Sequence, residues 1–230
     1  MLNSGGCCTI IEKITGFTVS RGLFITFEGV EGCGKSTQVS LLKEHLESMG
    51  RNVVALREPG GTMLGERVRS ILVNQAEEPI DPWAELFMYE ACRAQLVANV
   101  IRPALSEEGT IVICDRFIDS TVAYQGFGRG LDKEDVSRMN LLATGGLVPD
   151  ITILIDVEAE AGLERAFARI SASRGAREDR FEKEGSDFHK KVRQGYLALA
   201  SINPRFAVVD GRNEIPSIHK EICGIINKRV

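Results

Sequence analysis

Gly29-Val30-Glu31-Gly32-Cys33-Gly34-Lys35-Ser36 follows the apolar run Leu23-Phe24-Ile25-Thr26-Phe27 and opens into a helical pattern. A strand, a glycine-rich turn and a helix in that order form a phosphate cradle. The glycines let successive backbone N–H groups face one anion, and the helix start adds the positive end of its dipole. In such a loop Lys35 reaches the outer phosphates and the Ser36 hydroxyl ligates Mg²⁺. Residues Gly29, Val30, Glu31, Gly32, Cys33, Gly34, Lys35, Ser36 and Thr37 are therefore the expected triphosphate segment. Its fixed positions recur by chance in roughly one chain in a hundred of this length. The strand before and the helix after make chance a poor explanation.

The 230 residues, 43% hydrophobic and 26% charged with a formal net charge of −4, describe one ordinary globular α/β domain over 21–230. Residues 1–20 precede the first strand and read as a flexible extension or an extra edge piece. The charge balance offers no global basic surface for nucleic acid or an anionic membrane, so any polyanion must be met by a local cluster of cations. No apolar run has the length of a bilayer span and the start lacks a secretory pattern, so a cytoplasmic protein is expected. The six cysteines show no CxxC spacing and the three histidines are scattered, which suggests reduced thiols and no zinc site.

Short Val/Ile-rich runs predict strands at Leu23–Glu28, Asn52–Arg57, Thr110–Asp115, Ile151–Asp156 and 206–209. Between them 3.6-residue periodicity predicts helices over 35–49, 64–74, 82–106, 133–143, 158–170, 188–200 and 214–228. Strict alternation implies a parallel sheet with helices on both faces, where ligands sit beyond the carboxyl ends of the strands. The conspicuous polar motifs all fall there: the loop after the first strand, Arg57-Glu58-Pro59-Gly60-Gly61-Thr62 after the second, and Asp115-Arg116 closing the third.

Loops of this kind also serve GTPases and ATPase machines. The guanine-reading Asn-Lys-x-Asp is absent, since Asn227-Lys228 lacks its Asp. A short chain with Arg174-Gly175-Ala176-Arg177-Glu178-Asp179-Arg180 near its end suits a small phosphoryl-transfer kinase, in which an arginine closing over the transferring group accelerates the step by about 10³ or more. Residues 171–186 are read as that mobile lid. On the acceptor side, Tyr89 and Arg93 lie one helical turn apart, where a ring can stack on a base and a guanidinium donate to its carbonyl. By itself such a pair is ordinary helix surface. Ser120, Thr121, Tyr124 and Gln125 follow the Asp115-Arg116 strand end.

Phe27-Glu28 with the glycine loop, the Arg57 to Thr62 motif, and Asp115-Arg116-Phe117-Ile118-Asp119-Ser120-Thr121-Val122-Ala123-Tyr124-Gln125-Gly126 together resemble bacterial thymidylate kinases. The likeness runs from about Leu23 to the C-terminus. It implies a three-layer P-loop NTPase fold with a five-stranded parallel sheet flanked by helices and a mobile lid. It also implies transfer of the ATP γ-phosphoryl group to dTMP with Mg²⁺, in a homodimer.

The same resemblance assigns roles. It puts Tyr89 on the thymine ring, Arg93 on a base carbonyl, Thr121 at the base edge and Tyr124 against the sugar 2′ position. It puts Glu31 near the sugar 3′-hydroxyl, and Arg57 with Pro59 near the acceptor phosphate. Arg116 falls at the reacting phosphates, and Ser120 and Gln125 belong to the acceptor motif. Ser36 and Asp115 are the expected metal-side ligands, with Asp115 also orienting Arg116. Family members carry a catalytic arginine either in this loop or in the lid, and Val30, Glu31 and Cys33 leave the loop without one, so the resemblance implies that the lid supplies it. Arg180 is the first candidate, with Arg174 and Arg177 behind it. Two features depart from the family pattern: Tyr89 stands where Phe is commoner, and the lid is slightly long. The rival readings are a deoxynucleoside kinase, against which the Arg57 to Thr62 motif counts, and a nucleotide-binding regulator without catalysis.

Overall fold

The computed structural model describes residues 22–74, 78–172 and 180–229. The expected extension at 1–20 lies outside them. Five strands, β1 (Leu23–Glu28), β2 (Asn52–Arg57), β3 (Thr110–Asp115), β4 (Ile151–Asp156) and β5 (Phe206–Asp210), form one all-parallel sheet in the order β2-β3-β1-β4-β5. The first four have the bounds read from the sequence, and the fifth extends one residue further.

The helices are α1 (Lys35–Ser48), α2 (Met63–Val73), α3 (Pro82–Leu96), α4 (Arg102–Ser106), α5 (Ile118–Thr121), α6 (Lys133–Thr144), α7 (Ala159–Ala172), α8 (Ser186–Ile202) and α9 (Ile215–Ile226). Because side chains alternate along a strand, Ile25 and Phe27 face one side of the sheet while Phe24 faces the other. The first side packs with Ile111, Ile113, Ile153 and Ile155 against Leu42 and Leu46 of α1 and Ile218 and Ile222 of α9. On the other side Phe24, Val112 and Cys114 meet Leu96, Ile101 and Leu105. With both faces covered, the strands are near-continuous apolar runs. Full burial of each Leu or Ile here contributes about 1.5–3 kcal/mol.

Two helical regions differ from the sequence reading. The helix expected over 82–106 widens into a π-helical stretch, Val97–Ile101, before α4. Pro103 lacks the N–H that would bond to the carbonyl four residues earlier, and a wider turn accommodates the loss. The motif after β3, read only as a run of site residues, is helical from Ile118 on: α5 passes into a π-helical stretch, Val122–Gly128. Its glycines weaken helix propensity but admit a close neighbour. A Cβ at Gly128 would stand 2.6 Å from the Phe188 ring of α8. The sheet register sets Arg57 beside Asp115 and Asp115 beside Phe27, so the ends of β2, β3 and β1 converge.

Candidate active site

The loop after β1 is built to leave its amides free. Helices α2, α3 and α6 begin with Thr62, Asp81 and Asp132, whose side chains accept from first-turn N–H groups. Helix α1 instead begins at Gly34, in a left-handed conformation with φ 100°, with no side-chain cap and no acid in its first turn. Uncapped amides and an unopposed dipole are what an anion needs. Gly32 has φ +67°, and a Cβ there would lie 2.0 Å from the Gly162 carbonyl oxygen of α7. In turn a Cβ at Gly162 would lie 2.4 Å from the Glu31 carbonyl oxygen, so loop and helix touch backbone to backbone.

Lys35 is buried, and its Nζ donates to the carbonyls of Gly29 at 3.0 Å and Val30 at 2.9 Å. Ser36 Oγ donates to Asp115 Oδ2 at 2.7 Å, joining loop to β3. Val30 and Cys33 face the core, whereas Gly34 and Thr37 are exposed. None of these four lines the cavity beside the loop.

That cavity, about 440 Å³, runs from Gly32, Lys35 and Ser36 past Asp115 and Arg116 to Arg57 and Pro59. Tyr89, Arg93, Ser120, Thr121, Tyr124 and Gln125 complete its far end, so the expected acceptor-side residues are brought together with the phosphate loop. Arg57 is half-exposed and pairs with Glu66 at 2.9 Å.

Arg93 is fully buried and spends its guanidinium inside the protein. Nε and Nη2 donate to Glu58 Oε2 at 2.9 and 2.7 Å, and Nη2 also to the Phe117 carbonyl. Nη1 faces Glu90, Thr121 and Asn140. The sequence reading gave Arg93 a base carbonyl as partner; the fold has already engaged its donors, so a base would share or displace them. Burial pushes Glu58 up to about 7 despite the Arg93 charge.

Arg116 is the one non-glycine residue with positive φ among the described residues, at 71°. Such backbone strain persists only when the surroundings over-determine it. Its guanidinium donates to the Gly29 carbonyl, Ser120 Oγ, Tyr196 OH at 3.0 Å and Glu31 Oε1 at 3.2 Å, and lies over the Tyr124 ring. Asp115 was expected to orient Arg116. Instead Asp115 holds Ser36, and Tyr196, Ser120 and Glu31 do the orienting. Tyr196 and Ser120 are fixed in turn by Glu28, a fully buried carboxylate that also accepts from the Phe117 amide. Burial, with the nearby Asp119 charge, raises Glu28 to about 7 against the lowering effect of Ser120, Arg116 and the Phe117 amide.

Glu31 also accepts from the Tyr124 hydroxyl. Burial pushes its carboxyl up, but His189, Arg116, Lys35 and Tyr124 outweigh it and hold the group at about 2.

Arg180 lines the cavity, yet its guanidinium is tied away from the phosphate loop. Nη2 donates to Glu85 Oε2 at 2.7 Å and Nε to the Leu72 carbonyl. Glu85, fully buried at the start of α3, also accepts from Gln125 and Arg129. Arg174 and Arg177 lie outside the described residues, as does the whole stretch 173–179 between α7 and Arg180.

Comparison with known proteins gives this geometry its family. A family model described as thymidylate kinase matches residues 27–222. A thymidylate kinase of Geobacter sp. (strain M21) is 55% identical over 195 residues, 84% of this chain and 86% of the relative. One of Geotalea uraniireducens is 48% identical over 210 residues, 91% of this chain and 98% of the relative. The crystal structure of thymidylate kinase from Ehrlichia chaffeensis superposes with TM-score 0.70 at 36% identity, covering 89% of this chain and 98% of that one. The chain belongs to the thymidylate kinase family.

Within this thymidylate kinase fold, sequence reasoning missed the groups that support the cavity from behind. Glu58 stood inside a quoted motif, but nothing in a sequence says that it pairs with Arg93. Glu85, His189 and Tyr196 stand in helical runs whose periodicity announces only burial. Their polar partners lie far along the chain, on other elements.

Proposed function

We propose that the cavity holds Mg-ATP at the α1 N-terminus and dTMP against α3 and α5, in line for transfer of the γ-phosphoryl group to the dTMP phosphate. The chain is a dTMP kinase, a phosphotransferase. The observation that carries the site reading is the continuity of one cavity from Lys35 and Ser36 to Tyr89, Arg93 and Tyr124.

Two polyanions must be brought together, so cations dominate the design. Lys35 and Arg116 oppose the repulsion at the reacting phosphates, and Arg57 at the acceptor phosphate. Tyr89 covers the thymine ring, Arg93 with Thr121 reads the base edge, and Tyr124 crowds the sugar 2′ position. Glu31, ionised beside Arg116, faces the 3′-hydroxyl. The attacking oxygen belongs to a phosphate whose second pKa is near 6, so no general base is required.

Ser36 and Asp115 fit Mg²⁺, since a hydroxyl and a carboxylate oxygen already converge at 2.7 Å. Among the described residues no cluster of three or more His, Cys, Asp or Glu could hold a metal, so the pair would act with phosphate oxygens and water. Bound there, Mg²⁺ would neutralise β- and γ-phosphate charge. The lid arginine is Arg180, Arg174 or Arg177, and Arg180 reaches phosphate only by leaving Glu85.

The reading extends to a single kinase domain from 21 to 230, working in the cytoplasm as a homodimer. Among the described residues no helix is long and apolar enough to cross a membrane. The homodimer is supported by exposed apolar side chains on three neighbouring helices: Met63 and Ile71 of α2, Phe87 of α3, and Leu141 and Leu142 of α6. A side-by-side assay of ADP release with dTMP and with thymidine tests the acceptor. Release is expected with dTMP alone; release with thymidine alone overturns the reading in favour of a nucleoside kinase.

A further inference from the structure

His189 is fully buried on α8 and does not line the cavity, yet it touches the phosphate loop. Its Nε2 stands 2.9 Å from the carbonyl oxygen of Phe181, in the described end of the stretch read as the lid. A carbonyl only accepts, so Nε2 must carry a proton. Its Nδ1 stands 3.2 Å from Glu31 Oε2, and neither atom has a well-aligned hydrogen-bond partner among the described residues. With only the Nε2 proton, an unprotonated ring nitrogen would sit 3.2 Å from a carboxylate oxygen in a dry site, two electron-rich atoms with no proton between them. A second proton resolves this. Glu31 cannot supply it without losing the form that Arg116, Lys35 and the Tyr124 hydroxyl favour. Glu182, buried beside Phe181 and paired with Arg169 at 3.5 Å, adds a carboxyl group on the same side.

We propose that His189 is a positioning residue which, as an imidazolium, bridges the carbonyl of Phe181 to the carboxylate of Glu31. It thereby fixes the carboxylate in the acceptor half of the cavity and fastens the lid-side segment to the phosphate loop. One ring nitrogen serves each partner, so a single proton on Nδ1 decides whether the two parts hold together. Removing it leaves Glu31 to Arg116 and Tyr124 alone and frees one carboxylate oxygen to rotate. The effect falls on dTMP rather than ATP, because Glu31 lines the acceptor side and Lys35 and Ser36 have separate partners. The functional part of this inference rests on the dTMP kinase reading; the protonation state does not.

The test has two arms. In protein labelled with ¹⁵N-histidine, only His45, His189 and His219 contribute, and the spectrum of His189→Gln assigns the buried ring. Both nitrogens of that ring should be protonated at neutral pH in the ligand-free protein, and Glu31→Gln should return it to the singly protonated Nε2–H form. In steady-state kinetics His189→Gln, which keeps a donor but no charge, should raise KM for dTMP about tenfold, the scale of a lost buried charge contact. KM for ATP should stay within about twofold of wild type. A merely structural histidine would lower Tm without that split. A singly protonated ring in the wild-type protein, or a folded His189→Gln with unchanged KM for dTMP, overturns the proposal. If dTMP proved not to be the acceptor, the kinetic arm would be silent in wild type and variant alike, and the spectrum would still decide the proton.

Discussion

The guanidinium of Arg93 spreads its N–H groups over five acceptor atoms on four chain segments, at zero cost in exposure but at the expense of free donors. Removing Arg93 strips several buried acceptors, Glu58 and Glu90 among them, of their donor, which costs about 3–5 kcal/mol. Arg93→Ala is therefore expected to lose that much stability in denaturant unfolding, in addition to any loss of dTMP affinity; unfolding at the wild-type midpoint would contradict it. Glu58 gives the corresponding pH dependence. Its folded pKa of about 7 lies above the ordinary 4.5, so its contribution is complete below pH 4.5 and is lost as pH rises through 7. Stability measured across that window should fall with pH in the wild type and less so in Glu58→Gln. Lys35→Ala should lower turnover by orders of magnitude with the fold retained, read by kcat beside circular dichroism. These residues also mark what a sequence conveys. Lys35 and Ser36 announce themselves through local spacing, because the glycine-rich loop is a local structure, and Asp115 through its place at the end of an apolar strand. The Glu58–Arg93 pair and the His189–Glu31 contact join segments that only the folded chain brings together.

At the scale of elements, the loop after β1 and helix α7 are held at backbone contact by two glycines facing each other, Gly32 and Gly162. Gly162 touches no proposed ligand. A methyl group there meets the Glu31 carbonyl at 2.4 Å, and overpacking of this kind costs about 1–3 kcal/mol. Gly162→Ala should accordingly weaken ATP binding by displacing the loop, visible as a raised KM for ATP in a variant that still folds; an unchanged value would mean that α7 yields instead. The strands and most helices were legible because alternating and 3.6-residue periods are imposed by burial itself. The π-helical stretches after Leu96 and Thr121 were not, since widening a turn leaves the apolar period nearly intact and is decided by Pro103 and by the packing of α8 on Gly128.

The whole molecule is a sheet whose loops, at one end, gather cations around a cavity with two ends. Family membership explains the chemistry, and under the proposed reading the cavity is where one chain brings donor and acceptor together. The exposed apolar side chains of α2, α3 and α6 belong to this scale too. Leu142→Arg should convert a dimer to a monomer in light scattering, and a monomeric wild type would remove the dimer from the proposal. The central claim, that triphosphate and dTMP share this one cavity, is met most directly by a crystal structure with dTMP and a non-hydrolysable ATP analogue. The expected result is the triphosphate on the α1 amides beside Lys35, with thymine between Tyr89 and Arg93 and the dTMP phosphate near Arg57 and Arg116. Thymine elsewhere, with the pocket beside Arg93 filled by protein alone, would contradict it.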